Sequence, residues 1–136
     1  MAKSKEKPYT KAIKNLMADK SRILSKAQTL DEMGLVETAL PLWASAASFE
    51  ERIAPSLETL GRELEAAVHR ISAASCYEKS GELYRAANLY RAALSGPLPE
   101  KTLQEIQEKL SKCLVKLTRS AGKPNGKSRA RKAIGI

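Results

Sequence analysis

Two stretches decide the fold: GLVETALPLWASA, residues 34–46, and GELYRAANLYRAA, residues 81–93. Each starts at a glycine and then sets Val36, Ala39, Trp43 and Ala46, or Leu83, Ala86, Tyr90 and Ala93, at offsets two, five, nine and twelve. Steps of three and four place such residues on one helix face. The glycine suits a tight turn, the alanines suit two helices in close approach, and the aromatic fills the space between them. These are the requirements of a helical hairpin, made twice in one chain.

Working outward, Ile13, Leu16, Met17, Leu24, Ala27, Leu30 and Met33 give a first helix over about residues 10–33. Pro8 and Thr10 mark its start, Gly34 its stop, and Asp19 offers a break within it. The second carries Val36 to Ile53, with Pro41 as a kink or a delayed start and Pro55 as its end, because an interior proline costs roughly 3 kcal/mol. A long third helix is predicted from Leu57 to Gly81, with Gly61 inside it at a cost of about 1 kcal/mol. The fourth runs from Leu83 to the Ser95-Gly96-Pro97 turn. The fifth starts near Pro99 and carries Leu103, Ile106, Leu110, Cys113, Leu114 and Leu117 toward Gly122. No alternating β-branched run of strand length is present, so the expected fold is all-α with about five helices.

At the repeated residues the chain resembles the tetratricopeptide repeat family, whose second-helix pattern is Gly-x-Tyr-x-x-Ala-x-x-x-Tyr-x-x-Ala. Tyr77, four residues before Gly81, matches the aromatic of that family's first helix, and Leu30 holds the same place in the first copy. The hairpin is also similar to that of the microtubule-interacting-and-transport domain. The chain departs from the tetratricopeptide pattern in three respects: the glycines stand 47 apart rather than 34, Ala74 replaces a glycine, and Pro41 interrupts a helix. The resemblance covers about residues 20–98 and implies two hairpins with the fifth helix as a C-terminal cap. A second copy of the chain would supply the missing contact if the N-terminal residues do not cap the first hairpin. It further implies a partner groove formed by Leu24, Gln28 and Asp31 with Val68, Ile71, Ser72, Ser75 and Glu78, suited to a peptide or a helix. Leu24 and Gln28 stand where some family members use Lys and Asn to clamp a terminal carboxylate, so that specificity is not expected.

The 136 residues allow one domain, here expected as a flexible basic N-terminus (1–9), a helical-repeat domain (10–120) and a disordered basic tail (121–136). The net charge of +9 is unevenly spread. Residues 1–26 hold eight bases against two acids, residues 27–108 seven against thirteen, and residues 109–136 nine against none. An acidic body with basic ends can bring its ends to a polyanion while the body repels it. Arg119, Lys123, Lys127, Arg129, Arg131 and Lys132 are therefore candidate contacts to nucleic acid or another acidic partner.

Chemistry has little to stand on. Only one histidine, His69, is present, and the two cysteines, Cys76 and Cys113, lack Cys-x-x-Cys spacing. AGKPNGKS, residues 121–128, matches a phosphate-binding loop in letters, but a helix precedes it where a buried strand is required. The expectation is a non-enzymatic protein-interaction module, a small cytoplasmic adaptor without cofactor or metal. The alternative is a nucleic-acid-associated protein using its basic N- and C-terminal arms.

Overall fold

In the computed structural model, which describes residues 6–122, five helices follow one another: α1 (Lys11–Glu32), α2 (Val36–Thr59), α3 (Glu63–Ser80), α4 (Leu83–Leu94) and α5 (Glu100–Gly122). No strand occurs among the described residues. The fold is all-α, as the helical periodicity predicts. Each helix packs chiefly on the next in sequence, so the chain turns back on itself four times.

Three of those turns are built alike. Gly34, Gly61 and Gly81 adopt φ of 82°, 76° and 89°, a left-handed conformation that costs glycine nothing. The amides of Leu35, Arg62 and Glu82 donate to the carbonyls of Leu30, Leu57 and Tyr77 at 2.8–3.0 Å. The glycine amides donate to Asp31, Glu58 and Glu78 at 2.9–3.1 Å. Five residues beyond each glycine stands a fully buried alanine, Ala39, Ala66 or Ala86, whose missing bulk lets the paired helices approach.

Gly61 thus corrects two boundaries. It is the α2–α3 turn rather than an interior residue of a long third helix, and Leu57 and Leu60 belong to the end of α2. Pro55 does not end α2, which runs through Pro41 and Pro55 to Thr59. A buried Leu or Ile contributes about 1.5–3 kcal/mol, and Ile53, Ala54 and Leu57 around Pro55 are all fully buried. Their sum exceeds the roughly 3 kcal/mol cost of one proline. Both prolines are exposed, so water can reach the carbonyl each leaves unpaired. α1 begins as predicted, with the Thr10 hydroxyl accepting from the Ile13 amide at 3.1 Å, and passes Asp19 unbroken.

One buried cluster threads all five helices, from Ala27 through Trp43, Ala47, Ala74, Tyr77, Ala87 and Tyr90 to Ile106 and Cys113. A second joins the start of α1 to the end of α2 through Ile13, Ile53, Leu57 and Leu60, with Tyr9, Leu16 and Met17 against it. The repeated residues Trp43 and Tyr90 are both core. At the α4–α5 turn, Gly96 lies so close to Ala67 that a Cβ there would stand 3.0 Å from the alanine methyl.

Residues 6–9 are docked, which narrows the predicted flexible N-terminus. The Lys7 amide donates to the Leu60 carbonyl at 3.0 Å, and Arg62 Nε donates to the Lys7 carbonyl at 2.7 Å. The Arg62 guanidinium lies 4.7 Å over the Tyr9 ring and 2.6 Å from Glu65, which also accepts from the Tyr9 hydroxyl. Burial raises the Glu65 carboxyl, yet the hydrogen bonds from Tyr9 and Arg62 outweigh it and leave the group below its ordinary range. Residues 1–5, and the predicted disordered tail beyond Gly122, lie outside the described residues.

Candidate functional site

α1 and α3 meet over one carboxylate of α2. Glu50 is 2% exposed, one of its oxygens 2.5 Å from His69 Nδ1 of α3 and the other 3.5 Å from Lys20 Nζ of α1. A buried carboxylate is tolerated only with such partners. The contact with Glu50 holds the His69 ring in place.

A second bridge lies toward the Gly34 and Gly81 turns. Trp43 Nε1 donates to Asp31 at 3.0 Å, and Lys79 Nζ stands 5.1 Å over the indole. Trp43 therefore joins α1 to α3, as Glu50 does.

These two bridges place the predicted groove residues. Lys20, Leu24, Gln28 and Asp31 recur at intervals of four, four and three along α1, and His69, Ser72, Cys76 and Lys79 at three, four and three along α3. Each set shares a face, and both faces converge on Glu50 and Trp43. Leu24 and Ser72 are half-buried there, and Gln28 is exposed. Val68 and Ser75 face solvent on α3, with Leu64 continuing their stripe. Ile71 packs against the core, and Glu78 turns to α4, where it accepts from the Tyr90 hydroxyl. Asp31 is occupied by Trp43. Leu24 packs against the core as Ile71 does, so the α1–α3 face keeps Gln28, Ser72, Ser75 and the exposed part of Leu24, while Ile71, Asp31 and Glu78 serve the fold. Sequence reasoning missed Lys20, Glu50 and Lys79, since nothing in the adjacent pair Glu50 and Glu51 signals that one of them is buried.

The two thiols are poor nucleophiles. Burial, followed by the nearby Glu50 carboxylate, pushes Cys76 up to about 11. Burial and then Glu78 push Cys113 up as well. No group of three or more His, Cys, Asp or Glu suited to a metal occurs among the described residues.

Hollows lie elsewhere. A cleft of about 420 Å³ opens between Glu58, Glu63 and Arg70 on one side and Ala92, Ser95, Gly96 and Pro97 on the other. Arg70 spans to Glu58 at 2.8 Å, and that hydrogen bond holds the Glu58 carboxyl below its usual range. An apolar hollow of about 320 Å³ lies between α1 and α2 at Ser25, Thr29, Leu30 and Leu42, near exposed Met33, Leu35 and Val36.

Of the predicted polyanion contacts, Arg119 is exposed on the last turn of α5. Lys123, Lys127, Arg129, Arg131 and Lys132 lie outside the described residues, as does most of AGKPNGKS. Lys109, Lys112 and Lys116, which are not among the predicted contacts, are exposed on α5.

Comparison with protein-family models, with curated proteins and with solved structures yields no match. Among the described residues no helix is long and apolar enough to cross a membrane.

Proposed function

We propose that the chain is a non-enzymatic protein-interaction module that docks a peptide or helix of a partner protein on the face shared by α1 and α3. The reading is carried by Glu50: it binds Lys20 and His69 at once and so fixes two helix faces on either side of one α2 floor. Between those fixed walls stand Leu24, Gln28, Ser72 and Ser75, an apolar contact with neutral hydrogen-bonding groups beside it, which is the composition a peptide backbone and its side chains can use. Val68 and Leu64, about half exposed, extend the apolar contact along α3. The kinship with tetratricopeptide hairpins belongs to this proposal and rests on the repeated glycine, alanine and aromatic offsets. The non-enzymatic reading is supported by the same residues, since His69 is tied to Glu50 and burial raises both thiols above their ordinary range.

The test compares the full chain with a variant carrying Leu24→Glu and Ser72→Glu as baits in the native host. Circular dichroism first establishes that both are equally helical. A protein retained by the unsubstituted chain and lost from the variant, then bound by the purified chain in isolation, is the expected result. Identical retention by both baits overturns the assignment of this face.

A further inference from the structure

α5 distributes its charge on one side. Lys109, Lys112, Lys116 and Arg119 follow one another at three, four and three residues, so they share a face about 15 Å long, and all four are exposed. The neighbouring face, with Ile106, Leu110, Cys113 and Leu117, holds α5 against the core. Elsewhere in the described chain Lys11, Lys14, Lys26, Arg52, Arg91 and Lys101 lack a carboxylate within 4.0 Å, while Lys20, Arg22, Arg62, Arg70 and Arg85 each have one. None of the four α5 cations does, although Glu105 and Glu108 stand four residues before Lys109 and Lys112.

Helix stability alone does not ask for this stripe. Cations favour a helix C-terminus only within the last turn, which accounts for Arg119, and Glu105 and Glu108 give Lys109 and Lys112 the four-residue spacing that supports a helix, but Lys116 has neither reason. α5 has no aromatic residue to stack on unpaired bases. Its exposed large apolar side chains, Leu114 and Val115, are too few to embed in a bilayer. What the face delivers is an excess of positive charge at regular spacing on a rigid rod, which suits the phosphate backbone of a duplex.

We propose that Lys109, Lys112, Lys116 and Arg119 of α5 form a binding face for the phosphate backbone of double-stranded nucleic acid, without base sequence specificity. Four contacts on B-form DNA release counterions with a log–log salt slope of about −3.6, which between 50 and 200 mM salt is roughly a 150-fold loss of affinity. This face is separate from the α1–α3 face, so the failure of either proposal leaves the other standing.

The experiment measures fluorescence anisotropy of a random-sequence DNA duplex of about two helical turns, titrated with the full chain across that salt range. The variant carries Lys109→Ala, Lys112→Ala, Lys116→Ala and Arg119→Ala. A relocation variant adds Gln104→Lys, Gln107→Lys, Ser111→Lys and Thr118→Lys, which restores the net charge on the other exposed flank of α5. The expected result is a slope shallower by about 3 or more in the alanine variant, not recovered on relocation. An unchanged slope means that other bases carry the binding, and recovery on relocation means that net charge suffices. Either outcome overturns the proposal, as does a chain that binds phosphatidylserine vesicles but not the duplex.

Discussion

Tyr90 is the residue whose removal tests the packing most directly. It is fully buried in the cluster that also holds Ala86, Ala87 and Cys113, and its hydroxyl donates to Glu78 of α3 while its own helix packs on α5. Burial and then the Glu78 carboxylate raise its phenol far above the ordinary value, so the hydroxyl stays a donor across the accessible pH range. Tyr90→Ala deletes the ring and leaves a cavity shared by three helices, at a cost of about 3–5 kcal/mol. Tyr90→Phe keeps the ring and removes only a bond to a charged acceptor, at about 1.5–3 kcal/mol. With a urea slope of about 2 kcal/mol/M, the alanine variant should unfold roughly 2 M earlier and the phenylalanine variant about 1 M earlier, followed by circular dichroism. Adding Glu78→Gln to Tyr90→Phe should cost little more, because the partner is already gone, and the cycle should give a coupling of at least about 0.5 kcal/mol. Equal midpoints for Tyr90→Phe and the unsubstituted chain, or a loss below about 1 kcal/mol for Tyr90→Ala, would refute this account of the α3–α4–α5 contact.

Pro55 lies in the interior of α2 on an exposed position, so Pro55→Ala should stabilise the fold by about 1–3 kcal/mol, the helix penalty less the entropy that proline removes from the unfolded chain. A lower urea midpoint for Pro55→Ala would show that the proline shapes α2 rather than strains it. Cys76, pushed up to about 11, should be alkylated at pH 8 roughly 200-fold more slowly in the folded chain than in urea, with the rate rising as pH rises toward that value. Mass spectrometry that finds Cys76 as reactive as a denatured thiol would remove it from the core.

Much of the fold was legible because its marks are local. Glycines at 34 and 81, with alanine five residues on and an aromatic nine on, state a turn and a packed helix without reference to the rest of the chain. Gly61 was misread because the same turn there lacks the aromatic, Arg70 standing nine residues on, and because Pro55 offered a nearer place to break the chain. The decision between them is energetic and non-local. Ile53, Ala54 and Leu57 bury themselves against α1 and hold α2 together past its proline, and that gain exists only once α1 is in place. The signal that distinguishes Gly61 is nonetheless present, since Leu57 and Leu60 precede it as Leu30 and Met33 precede Gly34, with Ala66 five residues later.

The candidate faces differ in how far sequence alone reaches them, and the difference follows from charge. A periodic stripe of bases is readable in one dimension, and the change from a mixed body to a wholly basic stretch after residue 108 announces α5's cations, even if not which of them share a face. Glu50 is the opposite case. It is one of two adjacent acids, and its neighbour Glu51 is exposed and bonded to the Tyr77 hydroxyl at 2.6 Å, so the pair looks like a solvated surface. Only the register of α1 and α3 against α2 turns one of them inward to meet Lys20 and His69. Burial of that carboxylate is tolerated only while its partners are in reach. It therefore selects one arrangement of three helices over sliding alternatives that purely apolar alanine faces would permit, and the same selection sets the spacing of the walls on which the proposed docking face depends.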